Sequence, residues 1–299
     1  PGRVLPASGD DSDVGGISAG PHGTPPFPGQ DYINPAFDLT DGFAAVISIE
    51  PDPDNSPGPF TFKPLIDGTI EDVGVGVPQD MDNNAGGFPT AMVSLSDSMA
   101  MGQTAHLSLA FHGLEDLGAD WAYEGWLIVD GAPVSTGVFT VDGGGAQSQT
   151  TFPTEVSSLD AISTFVLTIE PVPDSDPAPS HIHILGGDVN GGRAALTIDH
   201  MAALGTDFRM ATGAYILAAP SGGGAAPSAT GIWWLDPAGP SPTLDLPALP
   251  PGWVYEGWVV GGDGPVSTGR FTSASGVDSD GTGPAAGPED GPPFPGQDF

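Results

Sequence analysis

The sequence predicts an all-β protein with two tandem β-sandwich-like domains, and three observations support this fold class. Short runs of β-branched and aromatic residues recur along the 299 residues and are bounded by Gly, Pro or Asp. The 46 glycines and 34 prolines stand between these apolar runs, as the turns of a β-rich fold do. Two sequence blocks occur twice in the same order, which indicates a duplicated domain.

The predicted strands follow one another with few helical signals between them. In the first half they are FAAVISIEP, TAMVSLS, TAHLSLAFHG and YEGWLIV. In the second half they are STFVLTIEP, HIHILGG, AALTIDH, AYILAAP, GIWWLDP and YEGWVVG. IVDGAPV predicts a hairpin with Asp130-Gly131 at its turn, because Asp-Gly suits the left-handed conformations of a tight hairpin. LSDSMAMG and HMAALGTDF each predict no more than one helical turn.

The duplicated blocks define the domain organisation. Residues 120–140 (DWAYEGWLIVDGAPVSTGVFT) match residues 252–272 (GWVYEGWVVGGDGPVSTGRFT) at 12 of 21 positions. Residues 46–60 (VISIEPDPDNSPGPF) match residues 166–180 (VLTIEPVPDSDPAPS) at 8 of 15 positions. The predicted organisation is an arm at 1–41, a first β domain at 42–145, a linker at 146–159, a second β domain at 160–273 and a second arm at 274–299.

The two arms repeat each other. Residues 7–32 and residues 274–299 align without a gap, with 17 of 26 positions identical, and both contain PPFPGQD. This segment is predicted to be extended and polyproline-like, so it becomes ordered by lying on another surface, with its Phe as the apolar anchor. The predicted assembly residues are Pro25, Pro26, Phe27, Pro28, Gln30 and Asp31 in the first arm, and Pro292, Pro293, Phe294, Pro295, Gln297 and Asp298 in the second.

Charge and composition exclude several partners. The 38 acidic and 5 basic residues give a formal net charge of −33, which opposes binding to nucleic acid and to anionic membranes. No apolar run has the length of a membrane span, so we expect no membrane insertion. The chain has no cysteine and therefore no disulfide or thiolate metal site. The acidic excess favours a halophilic or extracellular protein over a dedicated ion-binding protein.

The motif W-x-Y-E-G-W followed by P-V-S-T-G-x-F-T resembles the extracytoplasmic C-terminal domain of anti-sigma-K factors. That family shows an aromatic-x-x-Trp strand, a short Asp/Gly turn with Pro, and a run of small residues that ends in Gly-x-Phe. The resemblance implies a β-rich domain that works outside the cytoplasm. The zinc-binding helical domain and the membrane span of anti-sigma factors have no counterpart here, so sigma-factor regulation is not expected. The matching residues are Trp126, Pro133, Gly137 and Phe139 in one copy, and Trp258, Pro265, Gly269 and Phe271 in the other.

The aromatic motif contains the most conspicuous carboxylates. Glu124 and Glu256 each stand between a tyrosine and a tryptophan, an arrangement that a sugar-cleaving site could use. Because both copies have the same residues, a structural role is favoured over catalysis. Strand alternation places Tyr123 on one face and Glu124 and Trp126 on the other. The motif residues, interpreted as structural, are Tyr123, Glu124, Trp126, Tyr255, Glu256 and Trp258.

Two patterns raise the question of metal binding. Asp11 and Asp13, like Asp278 and Asp280, alternate with serine as in part of a calcium loop, but the complete loop with its distal Glu is absent. Calcium is therefore the one candidate cofactor. The pair His181 and His183 has a spacing that can bind a metal on one strand face, although a satisfied structural pair is the more common outcome.

These observations favour a non-catalytic extracellular or cell-surface structural protein, a subunit of a filament, sheath or surface array that assembles head to tail through its Pro-rich arms. Its main partner would be a further copy of itself, with glycans as additional candidates. An alternative is a carbohydrate-binding or adhesive module of a larger cell-surface protein, which would need an exposed aromatic platform. A second alternative is a secreted hydrolase, which would need two convergent carboxylates in a cleft.

Overall fold

The predicted all-β fold is confirmed by the computed structural model. It describes residues 39, 43–52, 65–96, 105–154, 156, 158–219, 230–261, 264–279 and 294–298. Two one-turn 3-10 elements, Ala85–Gly87 and Leu159–Ala161, are the helical elements of this part of the chain. None of its helices has the length and apolar character needed to cross a membrane.

The strands of the described residues are numbered in chain order. They are β1 (Ala44–Pro51), β2 (Ile66–Thr69), β3 (Gln79–Asn83), β4 (Thr90–Ser96), β5 (Ala105–His112), β6 (Trp121–Val129), β7 (Ala132–Phe139), β8 (Thr151–Thr154), β9 (Ile162–Pro171), β10 (His183–Asp188), β11 (Arg193–Leu196), β12 (Gly213–Leu217), β13 (Gly231–Trp233), β14 (Leu235–Asp236), β15 (Ser241–Pro242), β16 (Trp253–Gly261), β17 (Gly264–Phe271) and β18 (Gly296–Asp298).

Strands β4 to β11, residues 90–196, form what we call the contiguous module. Its two four-stranded antiparallel sheets have the orders β10-β9-β6-β7 and β11-β4-β5-β8. The predicted hairpin is confirmed between β6 and β7, where Asp130 and Gly131 have φ angles of 50° and 84°. Such left-handed values at both central residues are those of a tight hairpin turn. The rings of Phe111 and Phe139 stack between the two sheets, with their centroids 5.3 Å apart.

The remaining strands form what we call the split module, because they come from two separate stretches, residues 44–83 and 213–298. Eight of them make one sheet of the order β17-β16-β1-β2-β3-β12-β13-β18, and β14 pairs with β15. The sheet folds over on itself, since the Trp234 ring, just after β13, packs over Gly257 of β16. One hydrophobic core cluster runs through both modules.

The two modules share the register of their central strands. Gly125 of β6 lies opposite Leu167 of β9, and Gly257 of β16 lies opposite Ile47 of β1. Each of these glycines also begins a bulge in the pairing with the next strand, β7 or β17. Each IEP strand thus pairs with the YEGW strand of the other half of the chain. The domain boundaries 42–145 and 160–273 remain a prediction. The long pairings of β1 with β16 and of β6 with β9 each join a strand of one predicted domain to a strand of the other.

The correspondence extends to the other strands. The order β11-β4-β5-β8 in the contiguous module has its counterpart in β3-β12-β13-β18 in the split module, and β10-β9-β6-β7 has its counterpart in β2-β1-β16-β17. The contiguous module runs through its strands in chain order from β4 to β11. The split module follows the same path only if β18 is succeeded by β1. Its strand order is therefore a circular permutation of the other.

Candidate functional site

The second arm is docked on the edge of the split module. Strand β18 pairs antiparallel with β13, with Gly296 opposite Trp233 and Gln297 opposite Ile232. The pairing is extended by the Trp234 N–H, which donates to the Pro295 carbonyl at 3.0 Å. An extended peptide that adds a strand to a sheet edge gains main-chain hydrogen bonds irrespective of its sequence, and its side chains supply specificity.

Phe294 supplies the apolar contact of the docked arm. Its side chain is buried in a small cluster with Ile216, Trp233 and Leu235, separate from the main core. The half-buried Ala218 packs against the same cluster. The anchoring role predicted for this phenylalanine thus has a matching geometry within the chain.

Gly296 lets the arm lie flat against the sheet. Its φ of 153° and its position leave no room for a side chain, since an added Cβ would lie 2.5 Å from the Trp233 ring and 2.6 Å from the Ile232 carbonyl. The Gly296 N–H donates to a carboxylate oxygen of Asp278 at 3.0 Å. The docked conformation therefore requires glycine at this position, and the identical PPFPGQD segment of the first arm has Gly29 there.

The other predicted arm residues have mixed outcomes. Phe294 and Pro295 are buried, and Gln297 and Asp298 lie in β18. Pro292 and Pro293 lie outside the described residues, as does the whole predicted segment of the first arm, namely Pro25, Pro26, Phe27, Pro28, Gln30 and Asp31.

The motif tryptophans are buried and hydrogen bonded in the same way in both modules. The Trp126 indole N–H donates to the Thr168 hydroxyl at 2.9 Å, and the Trp258 indole N–H donates to the Ser48 hydroxyl at 2.7 Å. The Thr168 hydroxyl donates in turn to the buried Glu170. Ser48 donates to the equivalent buried carboxylate of Glu50.

The motif glutamates lie on the same buried face. Glu124 accepts a hydrogen bond from the Ser135 hydroxyl, and Glu256 accepts one from Ser267. Burial raises the pKa of Glu124 above its ordinary value, the charge of Glu170 adds to this, and the bond from Ser135 opposes it.

Glu256 differs from Glu124 in having a cationic partner. The Arg270 guanidinium donates to Glu256 at 2.9 Å, whereas the position opposite Glu124 is the exposed Val138.

The motif tyrosines form hydrogen bonds to the loops that precede their strands. The Tyr123 hydroxyl donates to the Glu115 carbonyl at 2.9 Å, and the Tyr255 hydroxyl donates to the Pro247 carbonyl at 2.6 Å, eight residues upstream in each case. Tyr215 of β12 is also buried, and its hydroxyl donates to the Thr69 carbonyl at 3.0 Å. Burial raises the pKa of all three phenols.

The metal predictions find no assembled site in the described part of the chain. No group of three or more His, Asp or Glu side chains there is placed to hold an ion. His183 contacts the Ala202 carbonyl at 3.0 Å, and His181 is exposed. Asp278 is engaged by the arm, while Asp11, Asp13 and Asp280 lie outside the described residues, so calcium binding remains a prediction.

Several functional partners escaped the sequence reasoning. Ser48 and Thr168 complete the tryptophan networks, and their hydroxyls occupy matching positions in the repeated VISIEP and VLTIEP blocks. That match was the available signal. Arg270 could also have been noticed, because it is one of only five basic residues in the chain and lies inside the second copy of the motif. The β13 edge had none, because GIW differs little from any other short apolar run.

The comparisons with known proteins support the motif resemblance. Residues 77–183 match the family model of the C-terminal domain of the anti-sigma-K factor rskA. The match runs from just before β3 to the start of β10 and includes the first copy of the aromatic motif, while the second copy lies outside it. Searches of curated proteins and of solved structures found no match to this chain.

Proposed function

We propose that the protein is a non-catalytic structural subunit that assembles head to tail into a filament, sheath or surface array outside the cytoplasm. The arm segment PPFPGQD makes the contact between subunits by pairing with β13 of a neighbour. The observation that supports this proposal is the docked second arm, with its strand pairing, its buried Phe294 and its closely packed Gly296. The first arm has the same seven residues, so it fits the same edge.

Assembly follows from competition for a single edge. Residues 296–298 occupy the β13 edge within their own chain, and residues 27–31 of a neighbouring copy have the same sequence as residues 294–298, including the phenylalanine. When a neighbour's arm replaces the chain's own arm, the contact is between two different surfaces. Such a heterologous contact that does not close produces an open polymer. Salt favours it, because it screens the repulsion between chains of charge −33.

The burial of the tryptophans favours this function over a carbohydrate-binding platform. All six tryptophans of the chain are described, and each is buried or half-buried. A sugar-stacking surface needs exposed aromatic faces. The compartment rests on the anti-sigma-K resemblance and on the acidic composition, and the structural role of Glu124 and Glu256 rests on their identical buried bonds to serine.

Two matched phenylalanine variants of the full chain test the proposal. Phe27→Ala removes the anchor of the donated arm and should abolish filaments in electron micrographs recorded over a range of salt concentrations. Phe294→Ala weakens the binding of the chain's own arm to β13. It should increase assembly, because it leaves the β13 edge open to the arm of a neighbour. Monomers of the wild type at every salt concentration, or unchanged assembly of Phe27→Ala, would rule out arm docking between subunits.

A further inference from the structure

The central strand β1 of the split module is distant in sequence from the strand β16 beside it. Strand β1 lies between β16 and β2, and Ile47, Ser48 and Glu50 are all fully buried. Without β1, the buried partners on β16 would be exposed, including Trp258 and the indole that bonds to Ser48. The split module is therefore incomplete unless some copy of residues 44–51 fills this position.

The connection that leads away from this hairpin is long and exposed. Residues 70–78 join β2 to β3, and three of their valines have unusually exposed side chains: Val73 at 43%, Val75 at 54% and Val77 at 42%. Gly74 and Gly76 adopt left-handed φ angles of 102° and 71° between them. A glycine-containing exposed connection can extend and let the hairpin that precedes it leave its own module, as the hinge loop of a domain-swapped protein does.

The N-terminal part of the chain carries, in the right order, the sequences of three consecutive strands of the split module. In the contiguous module, β8 is followed by β9 after residues 155–161 alone. In the split module, the counterparts of these two strands are β18 and β1, at opposite ends of the described chain. The first arm, however, places a second copy of the β18 sequence at residues 29–31, a short distance before β1. Residues 25–69 thus combine a second copy of the edge-strand sequence with the β1–β2 hairpin, in the order that the contiguous module uses.

We propose that a second copy of the chain completes the split module by donating residues 25–69. The donated PPFPGQD pairs with β13 and displaces the acceptor's own β18, and the donated β1 and β2 take the positions between β16 and β3. This inference rests on the proposed head-to-tail assembly and extends it from an arm contact to the exchange of a central strand. Each subunit then lends its first strands to one neighbour and accepts those of another.

Cysteine pairs in this cysteine-free chain test the exchange. Ala44 and Val260 are half-buried and lie directly opposite each other in the β1–β16 pair. The variant with Ala44→Cys and Val260→Cys, oxidised after assembly, should give a ladder of covalent multimers on a non-reducing gel. The matched control has Ile128→Cys and Thr164→Cys at the equivalent register of β6 and β9. This control should crosslink within single chains, because the contiguous module uses one chain.

The outcomes separate this inference from the proposed function. Filaments whose Ala44→Cys and Val260→Cys crosslinks stay within single chains would overturn strand donation and leave arm docking in place. Covalent dimers that do not extend would support donation and overturn the open polymer. Monomers with only internal crosslinks would overturn both. Mixing the single variants Ala44→Cys and Val260→Cys gives a second measurement, in which a disulfide between the two chains is expected and its absence contradicts the exchange.

Discussion

The contiguous module and the split module have the same strand order and the same register, but the chain supplies them differently. One is built from residues 90–196, and the other combines residues 44–83 with residues 213–298. In both, the glycine of YEGW faces the same position of the IEP strand and starts the same bulge. The comparison shows that the local side-chain pattern sets the register of the strand pair, whatever the order in which the chain supplies the two strands.

The modules also differ in how they satisfy one buried carboxylate. Glu256 has the guanidinium of Arg270 at 2.9 Å, whereas Glu124 has a serine and faces Val138. The same strand geometry therefore holds a charge-compensated carboxylate in one module and an uncompensated one in the other. Burial raises the pKa of Glu124, and the charge of Glu170 adds to this.

The largest expected effect tests whether the two central strands are equivalent. Ile47→Ala in β1 and Leu167→Ala in β9 remove matching, fully buried side chains. Each should lower the free energy of unfolding by about 2–5 kcal/mol, through lost apolar burial and the cavity left behind. Urea denaturation followed by circular dichroism measures this. Because one core cluster spans both modules, each variant should unfold in a single transition.

A loss seen in only one of the two variants would show that β1 and β9 do not have equivalent roles. Val138→Ala, at a half-exposed surface position of β7, serves as the control and should change stability little.

The next effect separates the two glutamates. Glu256→Gln removes the carboxylate charge that the Arg270 guanidinium contacts, and it should cost about 1–3 kcal/mol after allowance for solvent screening, since the Arg270 side chain is 32% exposed. Glu124→Gln keeps an oxygen acceptor for Ser135 and removes a carboxylate that burial disfavours, so its cost should be under about 0.5 kcal/mol. Equal costs in parallel urea titrations at neutral pH would contradict the distinction.

A smaller effect is the pH dependence that Glu124 contributes. Since its pKa in the folded state is raised above its ordinary value of 4.5, the folded protein holds this proton more firmly than the unfolded chain. Its contribution to stability is therefore present below pH 4.5 and is lost as the pH rises through the folded-state pKa. Wild type should therefore lose stability relative to Glu124→Gln as the pH is raised from 4.5 towards neutrality. A constant difference across this range would show that Glu124 has no raised pKa.

The smallest effect comes from giving the contiguous module the missing cation. Val138→Arg places a guanidinium opposite Glu124, as Arg270 lies opposite Glu256. It should lower the pKa of Glu124 and stabilise the protein by less than about 1 kcal/mol at neutral pH, since the site is half-exposed. Val138→Gln is the neutral control. A gain that persists unchanged in high salt would contradict an ionic cause.

Sequence patterns were sufficient to predict the strands and the hairpin, because each depends on residues close together in the chain. The alternation in VISIEP and the Asp130-Gly131 turn are examples. They could not show which IEP strand pairs with which YEGW strand. The two IEP strands have nearly the same apolar pattern, so either fits either partner, and the choice depends on how the whole chain passes between the modules.

The docked arm was predictable only in part. Its extended form and its Phe294 anchor follow from the Pro-rich composition. Its partner β13 has three residues, and its role as an acceptor arises because β13 would be the edge strand of the sheet without β18. That place depends on long-range topology, which no short segment specifies.

The buried tyrosines give the fold an optical property. Three of the chain's four tyrosines, Tyr123, Tyr215 and Tyr255, have their phenols buried and hydrogen bonded, with pKa values raised by burial. In alkali, these groups can form the strongly absorbing phenolate only after the structure around them has opened. The rate at which the ultraviolet absorbance of phenolate appears after a jump to high pH therefore reports the rate of unfolding of both modules, without any added label.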